Sequence, residues 1–460
     1  MNTPEPVLHV CSTLRAAGHE AWLVGGAVRD SLMGRPVHDW DIATNAKPEQ
    51  TMALFPSAVA IGGHCGTVAV KLDGESHEVT PYRAEGAYTD GRHPDDVRFV
   101  ETLDEDLSRR DFTINAIAYD PIGNQWRDPH GGRGDIARKK IRTVGVSAER
   151  FNEDGLRILR GLRFAATLSF KLSGTTGMGM VECRENLRRL APERVHDEWH
   201  KTMAAERPSV AFELMANLGL LEQVALEFLP MIGCTQNRYH AFDVWGHSMR
   251  VLDAVPREDV ALRFAGLFHD IAKPATKGAH PETGEATFYN HEEVGAEVTD
   301  GILQRLKFSN DERERIVHHV RWHLIPYEPG WSASAIRRWV RRVGPGNVAT
   351  LCQLGRADIA GKGTALLDGR LSTLDELESR IANMQINAPI ATSTNALAIN
   401  GGDVMRELGI GPGKAVGDVL RALLEVVTDA PELNERDALI AKLRTQKAAA
   451  PSPLGEKTTA

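Results

Sequence analysis

The 460-residue sequence contains no apolar run of eighteen residues, so no segment is suited to span a membrane as a helix. Its start, Met1-Asn2-Thr3-Pro4-Glu5-Pro6, has no basic stretch ahead of an apolar one, so no secretory signal is expected. Cysteine is scarce. Cys11, Cys65, Cys183, Cys234 and Cys352 lie far apart without a C-x-x-C pair. That excludes a disulfide framework and a thiolate zinc finger, and fits a reducing cytoplasm. No G-x-x-x-x-G-K-[ST] occurs, which excludes a P-loop enzyme, and no repeat of fixed period points to a solenoid. A basic excess is also missing: the formal charge is −8. Taken alone, that argues against a nucleic-acid partner, because phosphate binding calls for a basic surface.

What is present is an ordinary globular composition, 42% hydrophobic and 25% charged, in a chain long enough for two to four domains. The charge is unevenly spread. Residues 201–300 carry 8 basic against 15 acidic side chains, whereas residues 301–350 carry 9 against 4. The second stretch includes Arg337, Arg338, Arg341 and Arg342, which read either as a solvated helix face or as contacts for an RNA backbone. Apolar spacing predicts a helix from Pro6 to Gly18. Strands are predicted at Ala21–Val24, Asp39–Ala43, Thr67–Leu72 and Ser76–Thr80, the last two joined by a hairpin turn at Asp73-Gly74. Gly86 to Pro94 reads as a loop. From about residue 150 to 446 helical periodicity dominates, so an α/β head precedes an all-α body.

Gly25-Gly26 sits where a strand feeds a helix, a junction that exposes backbone N–H groups to a phosphate. Asp39-Trp40-Asp41 follows, and in a strand residues i and i+2 share a face, so both carboxylates converge while Trp40 packs on the other side. Such a pair is costly without a cation and suggests Mg²⁺, with Glu78 from a later strand as a third oxygen ligand. Asp154 and Arg157, three apart on a helix, share a face. Cytosine and adenine both present an amine donor beside a ring-nitrogen acceptor, which an aspartate and an arginine complement. Uracil and guanine present the reverse order and would leave each side chain unpaired, at roughly 1–3 kcal/mol per group.

These residues carry a resemblance. Leu23-Val24-Gly25-Gly26-Ala27-Val28-Arg29-Asp30, Asp39-Trp40-Asp41, Arg109-Arg110-Asp111-Phe112-Thr113-Ile114-Asn115-Ala116, Asp128-Pro129-His130-Gly131-Gly132 and Glu153-Asp154-Gly155-Leu156-Arg157 resemble the class II tRNA nucleotidyltransferases and their poly(A) polymerase relatives, within the polymerase-beta-type superfamily. The resemblance runs over about residues 20 to 445. Trp40 departs from it, since a small or aliphatic residue usually separates the aspartates. It implies Asp39, Asp41 and Glu78 as catalytic, with Asp39 and Asp41 on Mg²⁺ in a two-metal mechanism. It carries nucleotide binding to Gly26, Arg29, Arg110, Asp111, Asn115, Asp154, Arg157, Arg160 and Arg163, and gives Glu193, Arg194 and Glu198 a bracing role.

A second constellation lies downstream: His247, the adjacent pair His269-Asp270, His291, His323 and Asp358, in largely apolar helical segments. Buried unpaired, such groups are expensive; gathered, they make a divalent-metal site. The pattern resembles the HD phosphohydrolase domain, which implies His247, His269, Asp270 and Asp358 as core ligands of a transition metal or Mg²⁺, and His291 and His323 as ligands or supports of a second. His318 and His319 are expected at the surface. The implied architecture is a nucleotidyltransferase head of mixed sheet and helices at 1–145, a helical neck at 146–232, an HD domain at 233–365, a helical tail at 366–446 and a disordered end at 447–460. The implied activity is template-independent addition of CCA to tRNA from CTP and ATP, in the cytoplasm, with an accessory phosphohydrolase. A poly(A) polymerase, a CC- or A-adding enzyme, or an HD phosphohydrolase with a nucleotide-binding head are the alternatives. The Gly-rich turn before Lys414 is either a helix connector or an RNA contact.

Overall fold

The computed structural model describes residues 1–37, 39–61, 66–72, 74–85, 97–364, 369–387 and 390–449. The first helix, α1 (Glu5–Ala16), carries Pro6 in its first turn, where no donor is needed, and buries Val7, Val10, Cys11 and Leu14 at helical spacing. The head continues through β1 (Trp22–Val24), α2 (Gly26–Leu32), β2 (Asp41–Thr44), α3 (Pro48–Leu54), β3 (Val59–Ala60), β4 (Val68–Leu72) and β5 (Glu75–Pro81). It then runs through β6 (Arg83–Glu85), β7 (Val97–Phe99), α4 (Leu103–Ser108), β8 (Ala118–Asp120), β9 (Gln125–Arg127) and α5 (Gly132–Ala137). Seven strands form one sheet in the order β3-β4-β5-β2-β1-β8-β9, while β6 and β7 pair apart from it. Among the described strands of this sheet, β2 and β5 are the pair that runs parallel, which sets Asp41 opposite Glu78. Period-two alternation splits the sheet's side chains between two cores. Leu23, Ile42, Val70 and Val79 pack with α1 on one face, and Val24, Ala43, Ala118, Leu103 and Leu107 pack on the other.

The strand expected over Asp39–Ala43 begins instead at Asp41. Trp40 belongs to the α1 side of the core, which anchors the lead-in to β2 by burial rather than by strand pairing. The β4–β5 hairpin forms as expected. Its turn residue Asp73, the loop expected over Gly86 to Pro94, and Cys65 lie outside the described residues.

After the head come β10 (Lys140–Ile141), α6 (Ser147–Glu153), α7 (Leu156–Leu168), β11 (Lys171–Leu172), α8 (Gly174–Glu182), α9 (Pro192–Met203), α10 (Ser209–Asn217) and α11 (Leu221–Val224). Helix α7 buries Ile158, Leu159, Leu162, Phe164 and Ala165, and stops where Ser169 turns left-handed. Residues 1–232, 256–263 and 300–313 form one compact unit. Two stretches of the segment expected as an HD domain, 256–263 and 300–313, thus pack with this unit. Arg263 shows why: its guanidinium is buried and donates to the carbonyls of Met203 and Ala205, both at 2.5 Å.

The second unit holds residues 233–255, 264–299 and 314–460. Over this part of the chain the elements are α12 (Val244–Ala254), α13 (Val260–Phe268), β12 (Gly278–Ala279), β13 (Ala286–Thr287), α14 (His291–Arg305), α15 (Asn310–Trp322), α16 (Ala333–Val343), α17 (Val348–Gly361), α18 (Arg370–Asn387), α19 (Gly401–Leu408), α20 (Lys414–Asp429) and α21 (Arg436–Ala449). Ile336, Trp339, Leu351, Cys352 and Leu377 make one core of this unit, and Val404, Leu423, Val427, Leu439 and Leu443 another. The body is not wholly α: β10 pairs parallel with β11, and β12 pairs antiparallel with β13. Helix α21 runs to Ala449, past the expected boundary at 446, and 450–460 lie outside the described residues. His319, expected at the surface, is buried between the Arg315 carbonyl and Thr350 Oγ1. The four described cysteines Cys11, Cys183, Cys234 and Cys352 are free thiols. Among the described residues no helix is long and apolar enough to cross a membrane.

Candidate functional site

The head's candidate site is built on the β1–α2 junction. Gly25 takes φ +73°, and a β-carbon there would lie 3.2 Å from Asp41 Oδ2 and 3.3 Å from Arg110 Nη1. Gly26, by contrast, has an ordinary φ and more room, so the backbone requirement falls on Gly25. Asp41 starts β2 beside Glu78 of β5. Burial pushes the Asp41 carboxyl upward, Arg110 lowers it, and the charges of Glu78 and Asp39 raise it again. Three carboxylates thus act on one spot, and their hard oxygen donors fit Mg²⁺. They do not close into a tight cluster. Asp39 is exposed and precedes the strand, so the same-face rule that was to align it with Asp41 does not hold its side chain.

The nucleotide-binding candidates form a chain of contacts. Arg29 donates to Asn115 Oδ1 at 2.8 Å, Asn115 donates to Asp111 Oδ1 at 3.0 Å, and Arg160 donates to Asp111 Oδ2 at 2.8 Å. Burial alone would raise the Asp111 carboxyl, but the Arg160 charge and hydrogen bonds from Asn115, Arg160 and the Phe112 N–H bring it down to about 2. Arg29, Arg160 and Arg163 gather around the buried Phe164 ring, at 5.1, 5.5 and 4.3 Å from its centroid. Arg163 is held by Glu198 at 2.7 Å. Arg110 is braced from behind by the buried Asp106 at 3.1 Å.

Asp154 and Arg157 are not on one helical face. Helix α6 ends at Glu153 and α7 starts at Leu156, so Asp154 sits extended in the break and accepts from the Leu156 N–H. Its second oxygen takes Arg194 at 2.7 Å. Arg157 is buried, with Nη1 on Glu153 Oε2 at 2.5 Å and on the Arg150 carbonyl, and Nη2 on the Arg109 carbonyl. The two side chains are neighbours in sequence, each fixed by its own partners.

In the second unit, His247 comes from α12 and Asp358 from α17. His269-Asp270 stands just past the end of α13, not within it; His291 opens α14, and His323 follows α15. These ends of helices converge. His247, His269 and Asp358 form one triad, and Asp270, His291 and His323 a second. Asp270 faces both: Oδ2 lies 3.4 Å from His247 and 3.1 Å from His269, while Oδ1 lies 3.4 Å from His291 and 3.8 Å from His323. The four residues expected as core ligands thus lie together, and His291 and His323 gather on the other oxygen of the shared Asp270 carboxylate. The Nδ1 atoms of His269, His291 and His323 face the carbonyls of Gly266, Phe288 and Val320, so each must donate there and aim an Nε2 lone pair inward. That donor set of imidazole nitrogen and carboxylate oxygen fits divalent transition metals. Burial would raise Asp270, yet His269 and Lys273 draw it well below the usual carboxylate range.

Residue-type reasoning passed over the groups around this cluster. Lys273 Nζ lies 2.7 Å from Asp270 Oδ2, and Lys362 Nζ 2.7 Å from Asp358 Oδ2. Their spacing, three and four residues after a ligand carboxylate, was the available signal. With Asn237, His240 and Tyr289 they line a cavity of about 340 Å³ over the ligands. Burial, with Lys273, His247 and Lys362 adding to it, lowers His240 to about 3.

Residues 21–142 match the poly A polymerase head domain, 169–231 the probable RNA and SrmB-binding site of polymerase A, and 238–353 the HD domain. A CCA-adding enzyme of Streptococcus thermophilus is 31% identical over 444 residues, 96% of this chain and 97% of that protein. One of Anoxybacillus flavithermus is 47% identical over 213 residues, 46% of this chain and 53% of that protein. Among solved structures, the Bacillus stearothermophilus CCA-adding enzyme in complex with CTP superposes with a TM-score of 0.69 at 28% identity, covering 97% of this chain and 99% of that one. The Thermotoga maritima CCA-adding enzyme complexed with tRNA shares the fold, with a TM-score of 0.57 at 19% identity over 96% of each chain.

Proposed function

Because the chain belongs to the CCA-adding enzyme family of tRNA nucleotidyltransferases, we propose that it builds or repairs the 3′-terminal CCA of tRNA from CTP and ATP, releasing pyrophosphate without a template. The observation that carries this reading is the parallel β2–β5 register, which sets Asp41 beside Glu78 over the Gly25 turn. Mg²⁺ held by Asp39, Asp41 and Glu78 would supply charge stabilisation to the phosphates and acidity to the attacking 3′-hydroxyl. Arg110, held by Asp106, stands beside that carboxylate group. The Arg29–Asn115–Asp111–Arg160 chain offers a carboxylate for a ribose hydroxyl and guanidinium groups for a triphosphate. Asp154 and Arg157 read the base by accepting from its amine and donating to its ring nitrogen. Their separate supports, Arg194 and Glu153, favour this use, since neither has to be ordered when the nucleotide arrives.

The HD cluster is read as an accessory phosphohydrolase, in which His247, His269, Asp358, Asp270, His291 and His323 would hold one or two divalent transition metals or Mg²⁺. Such ions, when bound, polarise a phosphoryl oxygen. Of the arginines considered for RNA, Arg337, Arg338 and Arg341 are committed to Thr428, Asp429 and Glu425 at the end of α20, which leaves the exposed Arg342 as the candidate phosphate contact. Free thiols in the described chain agree with a cytoplasmic setting.

The test uses Mg²⁺ and tRNAs ending before CCA, after C and after CC, each offered the four nucleotides singly. Addition should stop at CCA. A long A tail overturns the CCA reading. Asp154→Ala should cut CTP selectivity over UTP by about ten-fold or more, the worth of one charge-assisted hydrogen bond; unchanged selectivity overturns the base-reading role.

A further inference from the structure

Three guanidinium groups of the head converge on one aromatic ring. Arg29, Arg160 and Arg163 lie 5.1, 5.5 and 4.3 Å from the centroid of Phe164, which is only 4% exposed. Like charges brought so close repel, and each guanidinium needs an anchor. Arg29 has a full one: it forks onto Asp30, at 3.0 and 2.8 Å, and donates to Asn115 Oδ1 at 2.8 Å. Arg160 and Arg163 do not. Arg160 brings Nε and Nη2 to one oxygen, Asp111 Oδ2, both at 2.8 Å, and Arg163 gives Nε to Glu198 Oε2 at 2.7 Å. Arg160 Nη1 and both Nη groups of Arg163 take no hydrogen-bond partner among the described residues. A hold through one acceptor atom leaves a guanidinium free to swing about it, and the ring supplies the second point of attachment. Phe164 is itself fixed: the fully buried Phe112 meets it edge-on, at 5.8 Å between centroids and 87° between planes. Gly161 leaves room for Phe112, since a β-carbon there would lie 2.9 Å from the Phe112 Cζ.

We propose that Phe164 is a positioning residue for nucleotide addition, fixing the planes of Arg160 and Arg163 so that their uncommitted Nη donors meet the β- and γ-phosphates of the incoming CTP or ATP. This rests on reading the head as a nucleotidyltransferase. The chemistry favours a ring over a further carboxylate. A carboxylate would also hold the guanidiniums, but it would add negative charge where a triphosphate has to bind. The ring's quadrupole attracts a cation without carrying net charge, so the guanidiniums remain available as counter-charges. Arg160, Arg163 and Phe164 stand on one side of α7, at i, i+3 and i+4, which places the donors and their anchor on one rigid element. The role concerns the phosphates and not the base, so it applies equally to both nucleotides.

The experiment replaces Phe164 in the full chain, by suppression of an amber codon, with phenylalanine carrying one, two or three ring fluorines. Fluorine draws negative charge from the ring face and barely changes its size, so the apolar contacts are kept while the attraction to cations falls stepwise. Equilibrium dialysis gives Kd for CTP, ATP and CMP, and tRNAs ending before CCA and after CC give KM and kcat with Mg²⁺. Kd and KM for CTP and for ATP should rise in parallel with each fluorine, by about ten-fold at three, the worth of one cation–π contact. The kcat should change by less than about three-fold, as when ground-state and transition-state binding weaken together. CMP, which lacks the β- and γ-phosphates, should bind as before. Phe164→Leu, apolar but without a quadrupole, should match or exceed the trifluoro form. Constant Kd and KM along the series, with nucleotide addition intact, overturns the positioning role and leaves the nucleotidyltransferase reading standing. Stepwise weakening of CTP with no addition to any tRNA overturns that reading and keeps Phe164 as the anchor of a triphosphate site. Equal weakening of CMP and CTP, or a fall in kcat at constant KM, overturns the proposal. No CTP binding by the unsubstituted chain overturns both.

Discussion

Asp111 concentrates the head's electrostatics at one carboxylate. Against the burial that would raise it, Arg160, Asn115 and the Phe112 N–H hold it at about 2, below its ordinary 3.8. A depressed folded-state pKa contributes stability that is present above the unfolded value and lost as pH falls through the folded one. The contribution is about 2 kcal/mol from the difference between the two values. Asp111→Asn should therefore lose about that much in urea unfolding at pH 7, with the gap from the native protein narrowing between pH 4 and 2. Equal stability at pH 7 would mean that the pairing offsets no more than its own desolvation. Asp111 and Asn115 were legible as an i, i+4 pair within one motif. Their partners Arg29 and Arg160, 82 and 49 residues away from Asp111, were not legible as contacts, since only packing sets those distances.

At the scale of elements, the β1–α2 junction is the constrained turn on which the head's site is built. Gly25 adopts a left-handed φ with Asp41 and Arg110 close above it. Gly25→Ala should cost about 1–3 kcal/mol of backbone strain. It should also displace Asp41 or Arg110, lowering nucleotide addition by roughly 10²-fold, as expected for a misplacement near 1 Å. Thermal unfolding and CTP incorporation measured together check both parts, and full activity would remove Gly25 from the site. The helix ends of the second unit teach the complementary lesson. Periodicity placed His247 and Asp358 on helices, and they are there. His269-Asp270 and His323 lie just beyond helix ends, where chain direction changes and helical spacing gives no guidance. The break at Asp154 has the same origin: its extended backbone interrupts what reads as one continuous helix.

At the scale of the whole molecule, two compact units hold two chemically different clusters, oxygen ligands in one and mixed nitrogen and oxygen ligands in the other. Asp270→Ala removes the carboxylate that both HD triads face. It should abolish phosphoester hydrolysis and the rise in melting temperature on adding Mn²⁺, a linkage of about 2.7 kcal/mol at a hundred-fold excess over Kd. Nucleotide addition to tRNA should change by less than about three-fold, within the scatter of ordinary surface substitutions. Loss of both activities would mean the clusters are coupled. The net charge of −8 also reads differently at this scale. Asp39, Asp41, Glu78, Asp270 and Asp358 contribute to it as candidate metal ligands, so the global sum restrains nonspecific phosphate binding without excluding a shaped RNA substrate.

The sequence by itself determined the residue types, their order and the family they mark, because motifs within one turn or strand are fixed by local geometry. It also determined that β4 and β5 form a hairpin and that α1 buries one stripe. Only the tertiary structure decided the pairings: Asp154 with Arg194, Arg157 with Glu153, Asp270 between two triads, and three of four arginines with the end of α20. Those choices depend on which helix ends and strand edges meet. That is set by the packing of whole buried faces, and no spacing along the chain contains it.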